Sequence, residues 1–102
     1  MFLYNITVIV DYDIESQWLT WINNEHLPAV MDLGFVTSNR LLKVLNSPNE
    51  GITYCIQFVF ETHEAYESYV TLHEKNLMQA HADLFTNKHV LFTTLMEYIN
   101  YE

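Results

Sequence analysis

The sequence predicts an α+β domain of β-α-β-β-α-β order, with a four-stranded antiparallel sheet carrying both helices on one face. Three observations lead there. Four segments of strand periodicity bracket two of helical periodicity. Half of the 102 residues are apolar and 15% are aromatic, enough for one core but not for two. No linker, repeat or low-complexity tract interrupts the chain, so residues 1–102 are expected to form one domain.

The first strand is Phe2–Val10, where Phe2, Tyr4, Ile6, Val8 and Val10 alternate with Leu3, Asn5, Thr7 and Ile9. Asp11 to Asp13 offer turn and capping groups, Glu15 and Ser16 open the first helix, and Gly34 is placed to end it in a left-handed cap. At about 100° per residue, Trp18, Ala29, Ile22, His26, Leu19 and Val30 share one arc of roughly 120°. Glu25 flanks it. Pro28 removes a helical hydrogen bond and crowds the carbonyl of Asn24, which predicts a kink beside His26.

Residues 35–45 read as the second strand, residues 46–51 as a loop, and residues 52–61 as a third strand that closes an antiparallel hairpin. After Thr62 as N-cap, a stripe of Tyr66, Tyr69, Val70, His73, Leu77, Ala80, His81 and Leu84 describes one long helix or two short ones. Glu64, Glu67, Glu74 and Asp83 read as its solvated face. Residues 90–98 alternate as a fourth strand before the tail Asn100-Tyr-Glu102.

Both helices cover one side of the sheet, yet the opposite positions carry Leu3, Ile9, Cys55, Val59, Leu91 and Leu95. A face that apolar predicts burial against a second copy in a two-fold homodimer. The formal charge of −9 comes from 13 acidic and only four scattered basic residues, which argues against nucleic acid and anionic membrane surfaces as partners. No apolar run approaches the roughly 18 residues of a membrane span. The start carries no leader pattern and Cys55 is the single cysteine, so a cytoplasmic protein without an internal disulfide is expected. Cys55 reads as a buried structural thiol, and the lone Arg40 as the partner of a carboxylate.

His26 invites two readings. In one it is a pocket acid or base, oriented by Glu25 or by a carbonyl freed at Pro28. In the other it makes a helix–strand hydrogen bond that fixes the kink. Trp18 and Trp21 serve either as core or as a stacking platform. Asn5 and Gln57 either line a pocket or pair across the sheet or the dimer seam. Five histidines raise the question of a metal, but no His-x-x-x-His pair is present. His73 and His81 stand about 12 Å apart along a straight helix, so no metal is expected.

The residues Tyr4-Asn-Ile-Thr-Val-Ile-Val10, Trp18-x-x-Trp21, Glu25-His26-x-Pro28, Gly34-Phe35, Thr53-Tyr54 and Phe92-x-Thr94 give the chain a family resemblance. It resembles small uncharacterised bacterial domains of the dimeric α+β barrel superfamily, which have a ferredoxin-like fold. The resemblance implies a pocket between helices and sheet, not a chemistry. More distant relatives by fold include monooxygenases, isomerases, haem-degrading enzymes and ligand-sensing modules. In the haem-degrading members a strand-one asparagine, a tryptophan near the end of strand three and a histidine late in the second helix form the site. Asn5 and His81 would fill two of those places, but Phe60 stands where the tryptophan belongs and few basic residues are available for propionates. No haem or other cofactor is therefore expected. The resemblance implies binding of a small apolar or aromatic molecule, with Asn5, Trp18, Glu25, Tyr54 and His81 as lining candidates. His26 would be the acid or base of a monooxygenase-like or isomerase-like reaction. The rival is a non-catalytic dimerisation or ligand-sensing module in which His26 is structural.

Overall fold

The computed structural model describes residues 1–100, and the last two residues of the expected tail lie outside the described residues. Its strands are β1 (Phe2–Val10), β2 (Ser38–Lys43), β3 (Ile52–Phe60) and β4 (His89–Glu97), arranged in one antiparallel sheet of order β2-β3-β1-β4. Helical segments α1 (Glu15–Trp21) and α2 (Leu27–Asp32) follow β1, and α3 (His63–Tyr69) and α4 (Lys75–Leu84) follow β3. The α+β, ferredoxin-like order read from the sequence is the order observed. No helix among the described residues is long and apolar enough to cross a membrane.

The alternation of β1 decides which sheet face is the core. Tyr4, Ile6, Val8 and Val10 are buried under the helices with Tyr54, Ile56, Phe58 and Phe60 of β3. Trp18, Ile22 and Val30 come down from the first helical stretch and Tyr69 from the second. Thr62 caps α3 through its hydroxyl, which accepts from the Ala65 N–H at 3.1 Å. Gly34, at φ +82°, turns the chain out of α2. Asp11 supplies no side-chain cap; instead Lys88 pairs with Asp13 at 3.0 Å and Asp11 at 3.9 Å, tying the start of the helix to the approach to β4.

Both helical stretches run through a π turn, Ile22–His26 in the first and Val70–Glu74 in the second. The expected disturbance next to Pro28 takes this form: the Leu27 N–H reaches back five residues to the Ile22 carbonyl, widening the turn ahead of the proline. A wider turn delays the helical phase. The buried positions therefore run Ile14, Trp18, Ile22, His26, Leu27 and Val30, and Ala29, expected on the stripe, is exposed. The second π turn likewise leaves Ala80 and Leu84 outside, while His81 and Phe85 are buried.

The open face of the sheet carries Leu3, Asn5, Thr7 and Ile9 beside Val90, Phe92, Thr94 and Met96 of β4. Leu91 and Leu95, expected there, pair with Val8 and Tyr4 and so belong to the helix-facing side. Phe92 is 55% exposed and Val90 64%. Cys55 stands on this open face, only partly buried, with its Sγ 3.8 Å from the Thr7 hydroxyl. Arg40 shares the face across from Gln57 and forms no ion pair among the described residues, against expectation.

Candidate functional site

Trp18, His26, Tyr54 and His81 lie beneath the first helical stretch, each less than 5% exposed. Trp18 joins two of the others. Its ring lies 4.9 Å from that of Tyr54, and its Nε1–H donates to His81 Nε2 at 2.9 Å. An indole N–H can only donate, so His81 accepts on Nε2 and in its neutral form carries its proton on Nδ1. Among the described residues that Nδ1 is buried without a partner, and so is Nδ1 of His26.

Trp21 links the two imidazoles. Its ring stacks on His26 with centroids 5.3 Å apart and planes at 27°, and it lies 5.8 Å from both His81 and Phe85. Burial pushes the His26 imidazole down to about 4. Burial does the same to His81, also about 4, and the nearby His89 and His26 add to it. Both rings are neutral at neutral pH, and each holds a nitrogen able to exchange a proton in a setting walled by aromatic rings.

Two further residues complete the cluster. His89 crosses His81 with ring centroids 4.5 Å apart, and its Nδ1–H donates to the Phe85 carbonyl at 2.8 Å. Its signal in the sequence is its register at the start of β4, opposite the core residue Val10. Glu15 accepts a short hydrogen bond from the Tyr54 hydroxyl and lies 3.6 Å from Lys43. Burial, reinforced by Glu15, raises the Tyr54 phenol to about 12, so it remains a donor.

Asn5 is not part of this cluster. It stands on the opposite face of the sheet, where its Oδ1 accepts from Gln57 at 3.1 Å and its Nδ2 donates to Thr7 at 2.9 Å. Glu25 is exposed on the outer side of the π turn that holds His26 and bonds neither His26 nor any other described residue. There, with Ser16, Gln17, Thr20, Trp21 and Asn24, it lines an open groove of about 410 Å³. Trp21 thus forms the wall between this groove and the buried imidazoles. No helix–strand hydrogen bond from His26 is formed among the described residues.

Asn5 and His81, the two residues that the resemblance to haem-degrading members pointed to, lie on opposite sides of the sheet, and His81 Nε2 accepts from Trp18. Among the described residues no group of three His, Cys, Asp or Glu is arranged to hold a metal ion.

Solved structures share the fold across nearly the whole chain. An antibiotic biosynthesis monooxygenase homologue from Deinococcus radiodurans superposes with a TM-score of 0.77 at 13% identity, covering 100% of this chain and 96% of its own. SnoaB, a cofactor-independent oxygenase from Streptomyces nogalater, gives 0.70 at 10% identity, with 98% and 95% covered. MhuD, solved as a variant with two manganese protoporphyrin IX per active site, gives 0.73 at 14% identity, with 100% and 98% covered. At such identities the likeness is one of fold. No curated protein matches the chain. A family model described as "Domain of unknown function (DUF4286)" matches residues 1–99.

Proposed function

The chain belongs to the DUF4286 family and shares its fold with monooxygenase-like structural neighbours, and from that premise we propose that it is a dimeric α+β barrel protein that binds a small, largely apolar aromatic molecule at the Trp21 wall. One observation carries this reading. Trp21 stacks on His26 as a ligand ring would, with an open groove of about 410 Å³ on one side and two buried imidazoles with unpartnered Nδ1 atoms on the other. A planar ligand entering from the groove takes the place of the indole against His26, and its hydroxyl or carbonyl meets the free nitrogens. His26 is then the acid or base of a monooxygenase-like or isomerase-like step, and the aromatic walls exclude water without a protein-bound cofactor or metal.

The working unit is a homodimer in the cytoplasm. The open sheet face supports this, with Phe92, Val90, Met96, Leu3 and Leu42 forming one apolar surface around the Asn5–Gln57 pair. The rival reading, a dimerisation or ligand-sensing module, is favoured by the close packing of Trp18, Trp21 and His81 under the first helix. Calorimetric titration with 1-naphthol separates the two. The binding reading expects saturable heat in the wild type, loss of binding in His26→Leu, and altered affinity in Trp21→Ala. No heat in the wild type, or heat unchanged in both variants, sinks it.

A further inference from the structure

The groove at Trp21 is built from two rows of side chains spaced four apart on one helical face, Ser16, Thr20 and Asn24 in one and Gln17, Trp21 and Glu25 in the other. Trp21 is its one aromatic wall and Glu25 its one charged group, while the other four side chains are neutral and polar. All six are exposed except Trp21, which is half-buried over His26. A ring held at Trp21 and a polar group carried on that ring therefore share one space of about 410 Å³ with the Glu25 carboxylate.

No cation of the chain meets this carboxylate. Glu25 forms no ion pair among the described residues, and none of Arg40, Lys43, Lys75 and Lys88 lines the groove. Lys43 is held by Glu15, and Lys88 by Asp13 and Asp11. The two imidazoles behind Trp21 are neutral at neutral pH, so they offer an anion no counter-charge. The polar end of a ligand then sorts by its charge. A carboxylate meets Glu25 as a like charge, a hydroxyl meets it as a neutral donor, and a primary ammonium meets it with opposite charge and three N–H donors. In the open groove water screens that pair, so it sets a preference between ligands while the ring supplies the bulk of the affinity.

We propose that Glu25 is the specificity-determining residue of the Trp21 groove, and that it selects aromatic amines, planar rings bearing a primary ammonium group, over neutral and acidic aromatics. This selection rests on the aromatic-binding reading of the groove, which 1-naphthol tests by itself. Three probes share one ring system and differ in charge at neutral pH: 1-naphthylmethylamine is a cation, 1-naphthol is neutral and 1-naphthoate is an anion. Calorimetric titration of the full chain is expected to rank them in that order, the amine about threefold or more tighter than 1-naphthol and the naphthoate weaker than both. Glu25→Gln changes an exposed side chain that bonds no described residue, so it is expected to fold, to leave 1-naphthol unchanged and to bring the amine level with it. Glu64→Gln removes the same charge from α3, outside the groove, and is expected to keep the ranking, which separates Glu25 from the general attraction of an acidic chain for cations. An amine that binds no tighter than 1-naphthol overturns the selection. So does a naphthoate as tight as the amine, or a preference that survives Glu25→Gln or falls equally in Glu64→Gln. In each of those cases binding of 1-naphthol leaves the aromatic site standing, whereas no heat from any of the three probes overturns both.

Discussion

Among the described residues His26 has no hydrogen-bond partner for its buried Nδ1, and this determines what its replacement does. A buried polar atom without a partner costs about 1–3 kcal/mol, so an apolar residue of similar size relieves a penalty. His26→Leu is therefore expected to leave the urea midpoint unchanged or raise it. A loss of about 2 kcal/mol or more would show that the imidazole has a structural partner. His26 and His81 also make stability depend on pH. In the folded protein both titrate near 4, against an ordinary value of 6.5 in the unfolded chain. Below 6.5 the unfolded chain takes up protons that the folded one refuses. Their contribution is thus complete above pH 6.5 and is lost as the pH falls toward 4, with a slope of up to about 2.7 kcal/mol per pH unit for two protons. Urea unfolding at pH 7, 6 and 5 is expected to show this fall, and His26→Leu to halve its slope. Equal stability at pH 7 and 5 would contradict the buried neutral pair.

At the scale of elements, the π turn explains why Pro28 is tolerated and why Leu27 joins His26 among the buried positions. Removing one residue from Ile22–His26 would restore a regular helix, in which Leu27 and Val30 keep the stripe of Trp18 and Ile22 and His26 shifts to the edge of that stripe, away from its place under Trp21. It would also return Pro28 to a helix interior, a clash of about 3 kcal/mol. Deletion of the exposed Asn23 is accordingly expected to destabilise by about that amount, and the same deletion with Pro28→Ala to recover most of it without regaining 1-naphthol binding. Recovery of binding in the double variant would detach the site from the π turn.

These turns also mark the limit of what the sequence reveals. Strict alternation makes β1 and its inward face legible, along with the hairpin of β2 and β3, the Thr62 cap and the Gly34 stop. A wheel of constant 100° per residue cannot register a turn of five, so Ala29, Ala80 and Leu84 fall on the wrong face and Glu74, whose Oε2 is buried, reads as solvated. Trp18, His26, Tyr54 and His81 are legible as a group because all four are large or titratable on core-facing positions. Asn5 was separable from them by alternation alone, since Tyr4 and Ile6 on either side of it face the helices. Leu91 and Leu95 depended on the β4 register, which no local pattern encodes.

For the whole molecule, the open sheet face and the acidic balance act together. Two copies each carrying −9 would repel, so the proposed homodimer would rest on the apolar surface and be strengthened by salt. Phe92→Asp places a charge in the middle of that face. Sedimentation is expected to show a dimer for the wild type and a monomer for the variant, with the helical signal unchanged because Phe92 lies outside the core. A wild-type monomer at micromolar concentration would leave the open face unexplained.

The proposed homodimer holds one small aromatic molecule against His26 in each chain. Native mass spectrometry of the protein incubated with 1-naphthol tests both parts in one spectrum. A dimer that gains up to two ligand masses in the wild type and none in His26→Leu is expected. A monomer, or a dimer that never gains mass, would contradict the proposal.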